Sequence, residues 1–309
     1  MILPNIAIII ICVVVLAYGA NILVESAARI ARHMGLSELI IGLTIVAMGT
    51  SAPEFAVTIA AALQGESDIS VGNVVGSNIF NLGFILGSVV AVRAIATSPK
   101  LVYRDGMMLI AATLVLLFFM RDLHLQPYEG ALLFLGLIIY LVYLFRQREV
   151  PTEEIPEGEF RKRDPFLFLV GLTLILAGGH YLVESAVLVA EYFGLSEWAI
   201  GVTIVAAGTS APEFATSLVA VLRGHSDISI GNLIGSDLFN LLGVLGLAGM
   251  IQQEPMVIDP AGLTSIMLLS GMVIFVVILM RSGWRLARWE GALLVIINLA
   301  RWYFDLTSH

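Results

Sequence analysis

The sequence predicts an all-α polytopic membrane protein. Ten transmembrane helices form two inverted five-helix repeats, with broken second and seventh helices. Three observations carry this reading. Apolar runs long enough to cross a bilayer recur along the whole chain. The segment Gly49-Thr50-Ser51-Ala52-Pro53-Glu54-Phe55-Ala56 returns letter for letter as Gly208-Thr209-Ser210-Ala211-Pro212-Glu213-Phe214-Ala215. Basic residues collect in every second loop between the apolar runs.

Composition sets the environment. Of 309 residues, 59% are hydrophobic and 13% charged, and the mean hydropathy is +0.95. A soluble domain carries about a quarter charged residues. The net charge of -8 says little by itself, but the basic residues lie between spans and form no stripe, so no nucleic-acid partner is expected. The single cysteine, Cys12, lies in an apolar run, so no internal disulfide forms and a thiolate metal site is disfavoured. The start, Met1-Ile2-Leu3-Pro4, has no basic flank and reads as the outer end of a span, not as a removed signal.

The expected spans are 5–30, 37–63, 69–92, 105–120, 128–145, 166–190, 196–222, 228–251, 259–280 and 288–306. With the N-terminus outside, 14 of the 16 Lys and Arg fall in inner loops, and only Arg121 and Arg301 fall outside. This bias places both termini outside the cell membrane, inner or plasma. A charged stretch with two prolines, 146–164, reads as a cytoplasmic linker between a first half, 1–145, and a second half, 165–309.

The repeat runs at a constant offset of 159, and 30 of 48 positions agree between 40–87 and 199–246. Five spans per half is an odd number, so the second half inserts upside down. Inverted repeats of this kind build transporters with a midplane site. Retention for packing alone keeps apolar character, but Thr, Ser, Pro, Glu and Asn are retained here.

A carboxylate at bilayer depth costs about 2.5–3.5 kcal/mol or more, and this chain bears that cost twice. Pro53 and Gly49 weaken the helix, and carbonyls near Ala47 and Thr50 are expected to lose their helical partners. Thr50, Ser51 and Glu54 add side-chain oxygens, and the second half supplies Ala206, Thr209, Ser210 and Glu213. The next span of each half adds Ser77 and Asn81, and Ser236 and Asn240, each pair four apart on one face. Asn73 and Asn232 read as interhelical hydrogen bonders. Two carboxylates among neutral oxygens, without Cys or His, suit a hard cation such as Ca²⁺ or Na⁺. No nucleophile, lid or cofactor motif accompanies the acids, so neither a catalytic residue nor a cofactor is assigned. Elsewhere, Glu25 is expected to pair with Arg29, and Ser67 or Asp68 to cap the third span.

Gly-Thr-Ser-x-Pro-Glu followed by Gly-Asn-x-x-Gly-Ser-Asn-x-x-Asn, twice over, resembles the two alpha repeats of the calcium:cation antiporter superfamily, most closely the prokaryotic sodium/calcium exchangers. The resemblance implies that Glu54 and Glu213 grip Ca²⁺, helped by the carbonyls of Thr50 and Thr209. It implies that Na⁺ uses the same acids with Ser51, Ser210, Ser77, Ser236 and the carbonyls of Ala47 and Ala206. Asn81 and Asn240 then line the central position. The implied function is exchange of several Na⁺ for one Ca²⁺, with the first and sixth spans sliding across the other eight. The implied partners are the two ions and the lipid bilayer, with no obligate protein.

Three departures from the family pattern, at four positions, matter. Asn240 stands where potassium-dependent members carry an acid, which argues for potassium independence. Asp237 stands where the motif has Asn; it reads either as a shifted cation ligand or pore-side acid, or as a structural, hydrogen-bonded or protonated group. Ala52 and Ala211 replace the usual Leu and are expected to alter packing only. The alternatives are a Ca²⁺/H⁺ or a potassium-dependent Na⁺/Ca²⁺ antiporter. Thr50 and Thr209, where proton-coupled members tend to carry Asn, favour Na⁺. A sodium-coupled symporter of an organic solute would need helix N-termini or basic groups to receive an anion, and no basic residue lies within a span core.

Overall fold

The computed structural model describes residues 2–147, 160–193, 206–252 and 254–307. Its helices are α1 Ile2–Met34, α2 Glu38–Thr50, α3 Ala52–Leu63, α4 Ser67–Val92, α5 Leu101–Asp122, α6 Pro127–Arg146 and α7 Asp164–Tyr192. Then follow α8 Ala206–Thr209, α9 Ala211–Arg223, α10 Ser226–Ile251, α11 Pro260–Arg281 and α12 Arg288–Thr307. Among the described residues, seven helices are long and apolar enough to cross a membrane, or eight if the α2–α3 pair is one span. The expected seventh span, 196–222, begins partly outside the described residues. The expected tenth span, 288–306, falls on α12, a 20-residue helix that is not among those long and apolar enough to cross a membrane.

Local chemistry sets the ends. Gly35 takes φ +66° after α1, and the Leu36 amide turns back to the Ala31 carbonyl at 2.9 Å. The Ser37 hydroxyl accepts from the Ile40 amide at 3.3 Å and caps α2. Asp259 caps α11 through the Ala261 amide at 2.8 Å, just before Pro260. Ser67 and Asp68 tether α4 instead of capping it. The Ser67 hydroxyl accepts from Gln252 at 3.4 Å, and Asp68 accepts from the Asp259 amide at 2.8 Å. Among the described residues, four helices carry a π turn: 42–46 in α2, 81–85 in α4, 101–106 in α5 and 239–244 in α10.

The chain forms two compact units, and each takes segments from both sequence halves. The first joins Met1–Ser51, Arg148–Asn232 and Leu299–His309. Here α1 lies along α7. A Cβ built on Gly171 would stand 2.7 Å from the Leu23 amide nitrogen and 2.8 Å from the Gly19 carbonyl, so the backbones meet where both helices have no side chain. Ala20, Ala27 and Ala31 keep the rest of the seam narrow, and Leu16, Leu23, Phe168 and Ile175 fill it. On α1, Ile10, Ile11 and Val14 are exposed, as lipid-facing residues are. Glu25 approaches Arg29 only to 3.9 Å; the shorter bond of Arg29 goes to the buried Asp164 at 3.0 Å.

The second unit joins Ala52–Gln147 and Leu233–Asn298. Gly87 of α4 meets Gly291 of α12, and Gly246 of α10 meets Gly130 of α6, each at distances only glycine allows. Among the described residues, two short antiparallel bridges tie its loops: β1 Ile95–Ala96 with β4 Arg285–Leu286, and β2 His124–Leu125 with β3 Met256–Val257. Asp105 is anchored by Arg104 at 2.7 Å and by the Tyr140 hydroxyl at 2.8 Å.

Candidate cation-binding residues

Both motif copies break their helices at the serine. Ser51 leaves helical geometry at φ −77°, ψ 11°, and Ser210 at φ −88°, ψ 8°. Each helix restarts at the following alanine, with proline in its first turn, where the missing amide costs nothing. This puts Glu54 in the first turn of α3 and Glu213 in the first turn of α9, where the helix dipole favours negative charge. Both carboxylates are fully buried, as are Thr50, Ser51 and Ser210. The Thr209 side chain is half-buried at the end of α8.

In the first unit, the Ser51 hydroxyl donates to Glu213 Oε1 at 3.0 Å. A serine from the first motif copy thus meets the acid of the second. The Thr50 hydroxyl lies 3.3 Å from the Ala47 carbonyl and 3.1 Å from Asn232 Oδ1. The Ala47 carbonyl also accepts from the Ser51 amide at 3.0 Å. It is therefore bonded across the break, contrary to the sequence expectation. Pro53 withdraws its donor from the residue four back, which is Gly49, not Ala47.

Asn232 braces this site. Its Nδ2 donates to the Ser217 hydroxyl at 3.0 Å, while the Ser229 hydroxyl donates to the Ser217 carbonyl at 2.8 Å. In the second unit, Asn73 Nδ2 donates to the Thr58 hydroxyl at 2.9 Å and to the Glu54 carbonyl at 3.2 Å. The Ser70 hydroxyl donates to the Thr58 carbonyl at 3.1 Å. The two braces use residues at the same offset, and the reading of Asn73 and Asn232 as interhelical bonders holds. Thr58 and Ser217, the acceptors, were not singled out from sequence.

The second unit also gathers Ser77, Asn81, Asp237 and Asn240. Asn240 Nδ2 reaches the Ser77 hydroxyl at 3.4 Å and Asn78 Oδ1 at 3.2 Å. Asn81 Nδ2 donates to Asp237 Oδ1 at 3.0 Å. Ser236 is buried in the same stretch of α10. Asn81 opens one π turn and Asn240 lies in another, and such turns recur at functional sites. Sequence reasoning missed Asn78, and also Thr216, a buried hydroxyl one turn beyond Glu213. Thr216 had no signal, because the first half carries Val57 there.

Fold and side chains together define a multi-pass helical membrane protein with buried, oxygen-rich polar groups at broken helices. Comparison with known proteins makes this specific. The family model described as sodium/calcium exchanger protein matches residues 4–146 and 164–304. The putative antiporter CaxA of Alkalimonas amylolytica is 37% identical over 309 residues, covering 96% of each chain. The sodium/calcium exchanger MaX1 of Methanosarcina acetivorans is 33% identical, over 97% of this chain and 98% of its own. A solved structure of the sodium-calcium exchanger NCX_Mj superposes with a TM-score of 0.84 at 27% identity, covering 97% of this chain and 99% of that one. The chain belongs to the sodium/calcium exchanger family, within the calcium:cation antiporter superfamily, and is a transporter, not an enzyme.

Proposed function

We propose that this chain is a secondary active antiporter that exchanges Na⁺ for Ca²⁺ by alternating access, without K⁺. The observation that carries the reading is the 3.0 Å hydrogen bond from Ser51 to Glu213, between buried side chains of the two motif copies. That contact is expected if both copies serve one site. In this reading Glu54 and Glu213 hold Ca²⁺ with the carbonyls of Thr50 and Thr209. Na⁺ takes the same acids with Ser51, Ser210, Ser77, Ser236 and the carbonyls of Ala47 and Ala206, while Asn81 and Asn240 line the central position.

Electrostatics then makes exchange obligatory. One Ca²⁺ or a set of Na⁺ neutralises two carboxylates, but both loads do not fit. An empty site leaves two like charges close together in a low dielectric, which opposes the crossing between access states. Ten spans in two inverted halves, both termini outside the cell membrane, complete the reading. The matched braces at Asn73 and Asn232 support the repeat, as do the paired loop bridges. The close seam between α1 and α7 supports their moving as one body.

The test is ⁴⁵Ca²⁺ uptake by proteoliposomes loaded with Na⁺, with K⁺, or with a proton gradient. Na⁺ loading alone should drive uptake, and added K⁺ should change nothing. Uptake driven only by the proton gradient would overturn the choice in favour of a Ca²⁺/H⁺ antiporter.

A further inference from the structure

Asp237 is a buried acid to which the exchange reading gives no role. Its side chain accepts from Asn81 Nδ2 at 3.0 Å, and its backbone carbonyl accepts from Asn78 Nδ2 at 3.0 Å. Asn240 Nδ2 in turn lies 3.2 Å from Asn78 Oδ1. All four residues are buried.

The two ends of an amide are told apart by their partners, and here the partners decide. A backbone carbonyl only accepts, so Asn78 must turn Nδ2 toward Asp237. Asn78 Oδ1 is then left facing Asn240, which must answer with Nδ2. A carboxylate also only accepts, so Asn81 must offer Nδ2 to Asp237. Both asparagines thereby turn Oδ1 the other way. Asn81 Oδ1 and Asn240 Oδ1 are buried, with no hydrogen-bond partner among the described residues. A buried acceptor left bare is costly, and an oxygen is what a hard cation takes.

We infer that Asp237 is a positioning residue that orients both amides: Asn81 through its carboxylate, and Asn240 through its backbone carbonyl and Asn78. Both then present oxygen, not NH₂, to the transported cation. The inference rests on the exchange reading for the cation itself. It also accounts for the acid. With Asn at 237, as at the equivalent position 78, the partner of Asn81 could itself turn over; a carboxylate leaves Asn81 one orientation.

The test compares wild type, Asp237→Leu, Asp237→Asn and the double variant Asp237→Leu/Asn81→Asp by ⁴⁵Ca²⁺ uptake against Ca²⁺ concentration. The wild type tests the exchange reading alone. Variants are measured with whichever counter-gradient drives it, or by ⁴⁵Ca²⁺ binding to purified protein if none does. Asp237→Leu should raise the KM for Ca²⁺ about tenfold, the scale of one misdirected buried polar group. Asp237→Asn should recover most of that loss, because its amide oxygen also accepts from Asn81. The double variant should recover too, because a carboxyl group offers oxygen whichever way it turns. An unchanged KM in Asp237→Leu, equal damage in Asp237→Asn, or no recovery in the double variant overturns the inference. Should Asp237→Leu not fold, Asn78→Leu carries the same test through Asn240, with Asn240→Asp as its rescue.

Discussion

Replacing Asn232 by leucine removes a brace without emptying the space it fills. Asn232 is fully buried, and its two ends hold the Thr50 hydroxyl at 3.1 Å and the Ser217 hydroxyl at 3.0 Å. Leucine is close in volume, so the cost is polar, not steric. Each lost hydrogen bond is worth about 0.5–1.5 kcal/mol net. Neither hydroxyl is stranded, since Thr50 keeps the Ala47 carbonyl at 3.3 Å and Ser217 the Ser229 carbonyl at 3.4 Å. The expected cost is therefore about 1–3 kcal/mol, without the larger penalty for an orphaned buried group. For a chain of this size that is a fall of about 2–6 °C in melting temperature, read by heating detergent-purified protein and following the monodisperse fraction. Asn73→Leu removes the bonds to the Thr58 hydroxyl and the Glu54 carbonyl at a half-buried position and should cost less. An Asn232→Leu protein that melts with wild type, or a larger effect at Asn73, would refute the reasoning.

Three further outcomes follow from the same contacts. Glu54→Gln and Glu213→Gln should each cut ⁴⁵Ca²⁺ uptake by about 100-fold or more, because each removes half the site's charge and a strong oxygen ligand; uptake above a tenth of wild type in either would contradict the shared site. Gly171→Val places a side chain against the Leu23 amide and the Gly19 carbonyl, backbone atoms that cannot yield, so it should destabilise by about 1–3 kcal/mol or more and lower the melting temperature. Acidification should raise the KM for Ca²⁺ and leave the maximal rate unchanged, because a protonated carboxyl group loses the charge that holds the cation; a fall in maximal rate at constant KM would speak against competition at these acids.

The sequence carried the large features because they rest on composition and period. Apolar runs gave the helices, and Pro53 and Pro212 gave breaks that the structure places at Ser51 and Ser210. The offset of 159 foresaw equivalent roles for Asn73 and Asn232. Other features depend on tertiary partners and left no mark in the letters. The π turns at 81–85 and 239–244 have no composition of their own. Arg29 has Glu25 one turn away in sequence, yet Asp164, 135 residues distant, offers the better geometry. The role of Asp237 was undecidable from spacing, because it rests on which end of Asn81 and Asn78 faces it. The Ala47 carbonyl keeps its helical partner because proline frees the carbonyl four residues before it, which is that of Gly49.

In the proposed exchange, Ca²⁺ and Na⁺ use the same two acids in turn. This sharing is tested most directly by ⁴⁵Ca²⁺ bound to purified protein at equilibrium while Na⁺ is titrated. If the acids are shared, displacement is complete and the apparent Ca²⁺ affinity falls without limit as Na⁺ rises. A plateau of bound Ca²⁺ at saturating Na⁺ would mean that both ions are held at once, and would contradict the sharing.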